Sequence, residues 1–504
     1  MTPNNLSRAA DEARTVSAAW TAEGGPGGAL VIFEASGPRE AVAGGFASLE
    51  HDLPFTAATP TRWASVSKQF AAATALLAGF RLEDRLAALV PSLPTTIGVV
   101  PLANAMDMTG AIPDLMETLW LLGLPFSASL SEADLLDLCR RLPGTRGAPG
   151  QEMAYSNTGW RLIAAAFAER GGETYSEALR RLVLDPLDLD SVAFPEDEAT
   201  ILPGLATPYW REGETWRRGR YGLHFSPSGG LAGSAEDLAR WGSALIAGRG
   251  PAAGMLERLG APRRLPDGEE SFYRLGLSAQ RLGTLALIGH GGSLPGVKTH
   301  LLMAPAIGLG VALVSNREDT DPLWLAMQVL AAASGEPLPQ PATLPPGLYA
   351  EEGSEAWAEV EGEFISFMGV TDRLFADGEE VRTLPAYLEA RLRARADGSI
   401  EGRVGGVRRV LRRVGEETSL DPALIGTWRN KAFGAVLTVR PDSSALLPGI
   451  HPQESCALRA LPGPRALAAR RHGPWGLRPL LWLQPDGTLR LVAHRSRVLT
   501  FHRG

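Results

Sequence analysis

The chain is nearly without lysine. Of its 504 residues 49 are basic, and only three of these are lysine: Lys68, Lys298 and Lys431. The rest are arginine, which keeps its proton in a protein, whereas a desolvated lysine can give its proton up. A lysine in such a chain is informative wherever it stands. Cysteine is as scarce. Cys139 and Cys456 lie far apart without metal-site spacing, which reads as two free thiols in a reducing cytoplasm. No apolar run approaches the roughly 18 residues of a membrane span. The opening, "MTPNNLSRAADEARTVSAAW", has no basic start followed by an apolar core, so no secretory signal is read there. A cytoplasmic protein without a membrane partner is expected. The net charge of −7, with no basic cluster to offset it, argues against a nucleic-acid surface.

What is present fits a soluble globular chain, with 45% hydrophobic and 21% charged residues. Its length calls for two to four domains. Residues 1–335 mix strand-like and helix-like segments. "GGALVIFEASG" and "EAVAGGFASL" read as early strands, and "SVSKQFAAATALLAGFRLEDRLAALV" as a helix with its continuation. "SAEDLARWGSALIAG" opens on Ser234 as an N-cap with acids in its first turn. Strands return late, in "TLALIGHGG", "KTHLLMAP" and "GLGVALVSN". One sheet built from both ends of this region, with helices on its faces, gives an α/β (α+β) domain. Residues 336–346, within "GEPLPQPATLPPG", read as a stiff linker. Beyond it the pattern is all-β, apart from "LPAYLEARLRA", which reads as a short helix. Two antiparallel β-barrel units are expected, 347–416 and 420–504, and they look duplicated. Each opens on Gly with an aromatic two residues on ("PPGLYAEEGSEAW", "LIGTWRNKAFGAV"), and they close alike on "RRVLRRV" and "SRVLTFH".

Three short elements carry chemistry. Ser65 precedes Lys68 by three residues at the start of an apolar, alanine-rich helix, so hydroxyl and amine share one face. Serine is a poor nucleophile until a neighbour takes its proton, and an amine of lowered pKa can do so. Tyr155-Ser156-Asn157 stands on a turn before a helix. There the tyrosine can partner Lys68 as phenolate or proton relay, and the Asn157 amide can hold Lys68 or a substrate carbonyl. His290-Gly291-Gly292 lies on a strand, where two glycines let a ligand backbone come close. Each element alone also fits an ordinary helix end, a capped turn or a glycine-rich turn; their joint order is the specific signal.

In that order they resemble the penicillin-recognising serine hydrolases: class C β-lactamases, DD-peptidases and related esterases. That pattern is Ser-x-x-Lys, then Tyr-x-Asn, then a triad ending in Gly. "MTGAIPD", "SPSGGLAGSAEDLARW" and "GHGGSLPG" agree with it, and the resemblance covers roughly residues 10–330. Most members carry Lys in the third triad, where this chain has His290. With two C-terminal barrels and this length, the chain resembles the bacterial D-aminopeptidases in particular. Those enzymes release a small N-terminal D-residue such as D-Ala from peptides, amides and esters. The resemblance implies Ser65 as nucleophile, Lys68 as base and Tyr155 as donor to the leaving amine. It further implies Asn157, His290 and Gly292 as substrate-side residues, and neither cofactor nor metal. Its implied partners are a small D-amino-acid substrate, β-lactams as inhibitors and a second copy in a homodimer.

In that family a loop of the last barrel enters the site and supplies an acid for the substrate ammonium. The longest turn-rich segment here, 455–476, is the candidate. It holds Arg459, Arg465, Arg470, Arg471 and His472 but no acid; the nearest are Glu454 and Asp486. Arg465 and Arg470 are accordingly expected to favour an anion in the site. An esterase, amidase or DD-carboxypeptidase with an anionic substrate stays open, as does a receptor that acylates without turnover.

Overall fold

The computed structural model describes residues 3–384, 387–415, 419–449 and 455–504. Its principal helices are α1 (Pro3–Glu23), α2 (Ser67–Leu77), α3 (Leu115–Leu121), α4 (Thr158–Arg170), α5 (Ala235–Ala247) and α6 (Pro322–Ser334). Six strands form the main antiparallel sheet: β1 (Gly28–Glu34), β2 (Gly37–Gly44), β3 (Ser278–Leu282), β4 (Leu285–Leu294), β5 (Val297–Ala304) and β6 (Leu309–Ser315). Their order is β3-β4-β5-β6-β1-β2, so the first two strands pair with the last, Gly28 opposite Ser315. β1 explains why its sequence is a continuous apolar run. Leu30 and Ile32 face the layer of α1 and α6, while Ala29, Val31 and Phe33 face the layer of α2 and α5. Alternation puts successive side chains on opposite faces, and here both faces are covered.

α2 is the centre of this domain. Residues Ser67 to Leu76 are all buried, and its alanines suit a helix packed on every side. Phe70 sits between Trp63 and Trp241, at ring distances of 5.4 and 4.5 Å. α5 begins as read from the sequence: the Ser234 hydroxyl accepts from the Asp237 N–H at 3.0 Å.

The segment after α6 is irregular and lies along the first barrel, to which Ala342 N–H and Gln340 C=O are hydrogen-bonded. Eight strands from Gly347–Ala350 to Val407–Arg413 close that barrel. The expected short helix in 384–394 is corrected here, because Ala390–Ala394 is a strand of this barrel. Leu392 points in and Arg391 and Arg393 point out, a period of two that an alanine- and arginine-rich string conceals. Nine strands between Gly426 and Arg503 form a second, nearly closed barrel, whose two open ends, Ser455–Ala457 and Arg459–Leu461, are consecutive in the chain. Both units are meanders sealed in the same way. The opening Gly-x-aromatic strand pairs with the last strand, Tyr349 opposite Arg413 and Trp428 opposite Arg503. The second barrel shares one core with the α3 region, where Leu115, Trp120 and Phe126 pack with Trp428, Leu477 and Phe501. It shares another with the first barrel through Leu461, Leu467 and Val492. Among the described residues no helix is long and apolar enough to cross a membrane.

Candidate active site

Ser65 lies in a short 3-10 turn, Ala64–Val66, that leads into α2. The residue before it, Ala64, has φ +49°, a left-handed conformation that costs a non-glycine residue about 1–2 kcal/mol and that occurs at functional turns. Lys68 is fully buried, and its Nζ lies 3.0 Å from Ser65 Oγ, 2.9 Å from Asn157 Oδ1 and 2.5 Å from the Ser228 carbonyl. The last two partners can only accept. The Asn157 amide is fixed in that sense because its Nδ2 donates to the carboxylate of Asp114 at 3.1 Å. A neutral amine has two hydrogens and one lone pair. The three oxygens match the three hydrogens of the ammonium; once the amine is neutral, with its two hydrogens kept on Asn157 and Ser228, the lone pair falls to Ser65 Oγ. Burial drives the Lys68 pKa well below the ordinary lysine value; Asp114 opposes that shift and Arg495 adds to it.

Tyr155 is buried beneath this amine, with Lys68 Nζ 5.0 Å from its ring centre. Burial, with Tyr387 beside it, holds the phenol pKa well above its usual value, while Ser65 pulls it the other way. Of the two roles left open for Tyr155, the neutral phenol fits the relay and not the phenolate. Its hydroxyl is close enough to Ser65 to feel it but makes no formed hydrogen bond. A donor that engages only when a leaving group is in place has this geometry. Ser67, by contrast, is structural: its hydroxyl donates to Ala64 C=O at 2.6 Å and accepts from Leu231 N–H at 3.0 Å.

β4 runs behind Ser65. Its outer neighbour β3 pairs only as far as Gly289, so residues 290–294 present a free strand edge. His290 is 2% exposed, and both its ring nitrogens are engaged, Nδ1 with Gly291 C=O at 2.5 Å and Nε2 with the Tyr273 hydroxyl at 2.7 Å. The carbonyl can only accept, so Nδ1 carries a proton. Burial first and Lys68 second hold its pKa well below the usual imidazole value. Gly292 is needed for a protein contact rather than only for a ligand: a Cβ there would overlap the Trp63 carbonyl and the Thr299 hydroxyl.

The structure thus gathers Ser65, Lys68, Tyr155 and Asn157, with His290 and Gly292 behind them. It does not bring Arg465 or Arg470 there. Arg465 donates to the Pro462, Glu351 and Ser354 carbonyls, and Arg470 to those of Trp120 and Pro448. Both guanidinium groups staple backbone at domain seams, a correction to the role expected for them. Glu454 lies outside the described residues. The second barrel reaches the site through the turn Ala493–Arg497, whose Arg495 faces Tyr155, and through Trp475, which donates to Glu318 at 2.8 Å; the first barrel contributes Tyr387, edge-on to Tyr155 at 4.8 Å. A cavity of about 30 Å³ opens at Ser65, lined by Met116, Asn157, Tyr221, Phe225, Ser293 and Leu294 among others, none of them acidic. A larger one of about 320 Å³ begins at Gly291–Ser293 and is bounded by Tyr387 and Arg373.

The Beta-lactamase family model matches residues 13–335. The chain belongs to the β-lactamase family. Its first domain is the β-lactamase-like fold, followed by two antiparallel β-barrels. A D-aminopeptidase of Gluconobacter oxydans (strain 621H) is 26% identical over 350 residues, 67% of this chain and 65% of that protein; the match spans just under two thirds of the relative's own length. An octameric penicillin-binding protein homologue from Pyrococcus abyssi superposes with a TM-score of 0.59 at 20% identity, over 80% of this chain and 99% of that one. The D-amino acid amidase from Ochrobactrum anthropi SV3, complexed with D-phenylalanine, gives 0.54 at 20% identity, over 66% and 99%.

Within this β-lactamase-family site, sequence reasoning missed Asp114, Tyr273, Tyr387 and Arg495. Asp114 had a signal. It ends the quoted "MTGAIPD", caps α3, and orients Asn157 through both the backbone N–H at 2.7 Å and the side chain. Tyr273, Tyr387 and Arg495 carry no local mark, since only tertiary packing brings them in.

Proposed function

We propose that this chain is a serine hydrolase that releases small D-amino acids from amides, esters and peptides through an acyl-enzyme on Ser65. The observation that carries this reading is the desolvated Lys68 amine, held by two acceptors so that its third position, 3.0 Å from Ser65 Oγ, is where the lone pair falls once the amine is neutral. Lys68 takes the Ser65 proton as Oγ attacks the scissile carbonyl. The developing oxyanion is met by the Ser65 N–H and by an N–H of the free edge 290–294; such donors are each worth about 3–4 kcal/mol. The proton passes through the neutral Tyr155 phenol to the leaving nitrogen, and the C–N bond breaks. Water, activated by Lys68, then hydrolyses the ester. The D-amino-acid substrate is supported by the names of the relative and of the amidase. The small acyl group is supported by the 30 Å³ cavity beside Ser65.

Steady-state rates on D- and L-alanine p-nitroanilide, with intact-mass spectrometry of the protein, test the reading. Expected are turnover of the D-form over the L-form, and a transient alanyl adduct that is lost in Ser65→Ala. A persistent adduct without turnover would support the receptor reading instead. One observation, the guanidinium of Arg495 that makes no hydrogen bond among the described residues and only a long ion pair of 3.8 Å with Glu117, favours a substrate that also bears an anion.

A further inference from the structure

Two arginines in one turn of the second barrel are used in opposite ways. Arg497 is 4% exposed and its fork is closed on Glu152, with Nη1 and Nη2 each at 2.9 Å from an oxygen. Arg495 has a pinned backbone: its carbonyl accepts from Asp114 N–H at 2.9 Å, and its N–H and that of Ser496 donate to Glu117 Oε2 at 2.5 and 2.6 Å. Its guanidinium makes no hydrogen bond among the described residues, and its side chain keeps 28% of its exposure. The nearest carboxylate oxygen, Glu117 Oε1, is 3.8 Å from Nε. The Tyr155 and Tyr387 rings are 5.8 and 6.0 Å away, at the outer limit of about 6 Å for a cation–π contact. Asp114 is not a free partner, since its oxygens accept from Glu117 N–H, Asn157 N–H and Asn157 Nδ2.

A rigidly held backbone carrying a planar fork with no hydrogen bond among the described residues, 5.8 Å from the Tyr155 ring, is suited to a ligand, and the ligand that fits a guanidinium fork is a carboxylate. The cations lining the larger cavity are already paired, Lys298 with Glu318 at 2.7 Å and Arg373 with Glu363 at 2.9 Å, and His290 has both ring nitrogens spent. The side matters as well. Arg495 lies over Tyr155, the donor to the leaving nitrogen in the function proposed above. Tyr387, the other ring it faces, bounds the 320 Å³ cavity that starts at Gly291–Ser293. The cavity at Ser65, which takes the acyl group, has no charged lining.

We propose that Arg495 binds the carboxylate of the leaving group, so that the preferred substrate is a short peptide whose departing residue is a free amino acid rather than an amide or arylamide. This rests on the hydrolase reading for the identity of the two sides, but the binding itself can be measured without turnover. Titration calorimetry of Ser65→Ala protein with D-alanylglycine and with D-alanylglycinamide compares ligands that differ only in the carboxylate. The acid is expected to bind at least about tenfold tighter, the scale of a charge-assisted pair. In the Ser65→Ala/Arg495→Gln double variant the ratio should fall below about threefold, and with Arg495→Lys, which keeps charge but not the fork, it should lie between. Equal affinities in Ser65→Ala, absence of binding by either ligand, or a ratio that survives Arg495→Gln would overturn the proposal. Tight, carboxylate-dependent binding by a protein whose Ser65 form hydrolyses neither ligand would overturn the hydrolase reading and leave the carboxylate site standing. Equal kcat/KM for both ligands would overturn the carboxylate site alone.

Discussion

At Lys68 the lone pair matters more than the charge. In the proposed mechanism two hydrogens stay on Asn157 and Ser228, and the third position of the buried amine, 3.0 Å from Ser65 Oγ, acts as acceptor once the amine is neutral. Lys68→Arg preserves charge and cannot give up a proton. It is expected to lower turnover by at least about 100-fold, within the range for general-base groups, and a near-normal rate would make Lys68 a fixed charge instead. Ser65→Ala should abolish acylation. Ser67→Ala removes two buried hydrogen bonds and should lower stability by about 1–3 kcal/mol while acylation persists. Asp114 gives the sign of a pH effect. The base must be neutral, so kcat/KM rises with pH through the Lys68 pKa, which burial sets far below the ordinary value. The Asp114 charge raises that pKa, so Asp114→Asn lowers it further. The acid limb of the kcat/KM profile is then expected to move to lower pH, whatever the loss in rate from the disturbed Asn157. A limb that stays put or moves up would show that Lys68 is not the group titrating. These residues were legible in the sequence because helix and strand spacing puts them near one another within a motif. Asp114, 46 residues beyond Lys68, was legible only as flanking text.

Among the elements, β4 and the turn Ala493–Arg497 were read with opposite success. β4 was legible because an imidazole followed by two glycines on a strand is locally unusual, although the packing reason lies in the Trp63 carbonyl it passes. Gly292→Ala should therefore displace the turn that carries Ser65 and reduce acylation more than it reduces stability. In 455–476 the arginines were misplaced, because length and turn content say nothing about the direction of a side chain; it is Trp475 that reaches Glu318 in the lining of the larger cavity, donating to it at 2.8 Å. The turn that enters is a few residues long and is aimed by its anchors, above all the Glu117 carboxylate that takes the Arg495 and Ser496 N–H groups. Burial pushes the Glu117 carboxyl up to about 7 from its ordinary 4.5. In that window the folded chain holds a proton that the unfolded chain has lost, so stability falls as pH rises from about 4.5 to about 7 and is flat above. Glu117→Gln does not titrate. The stability advantage of wild type over Glu117→Gln should shrink between pH 5 and pH 8, by on the order of 3 kcal/mol at most, as followed by urea denaturation. An advantage that grows with pH would mean that the carboxylate is ionised throughout.

For the whole molecule, the division into an α/β domain and two barrels was legible as a change of hydrophobic period near a proline-rich stretch, and the shared barrel closure as a repeated Gly-x-aromatic opening. What no local pattern could show is that the three units share packed cores and ion pairs around the site. Seam residues are apolar like any core, and ion pairs between distant segments leave no periodic trace. The Glu152–Arg497 pair is the sharpest case. Glu152 precedes Tyr155 by three residues, Arg497 closes the barrel turn two residues after Arg495, and Met153 N–H bonds to the Gly405 carbonyl of the first barrel at 2.9 Å. Arg497→Ala leaves the part-buried Glu152 without its bidentate partner, with Arg146 and, at 3.6 Å, Arg409 as the remaining cations. Removing one partner of a buried pair costs about 3–5 kcal/mol. If the barrels were independent modules, that cost would fall on the second barrel alone. A calorimetric scan would then show its transition shifted and that of the catalytic domain unmoved. Because the barrel core continues into the α3 region and the ion pair ends on the Tyr155 loop, the catalytic and barrel transitions are expected to move down together in Arg497→Ala. Turnover at Ser65 should fall with them well below the melting range, since the Tyr155 loop is no longer held.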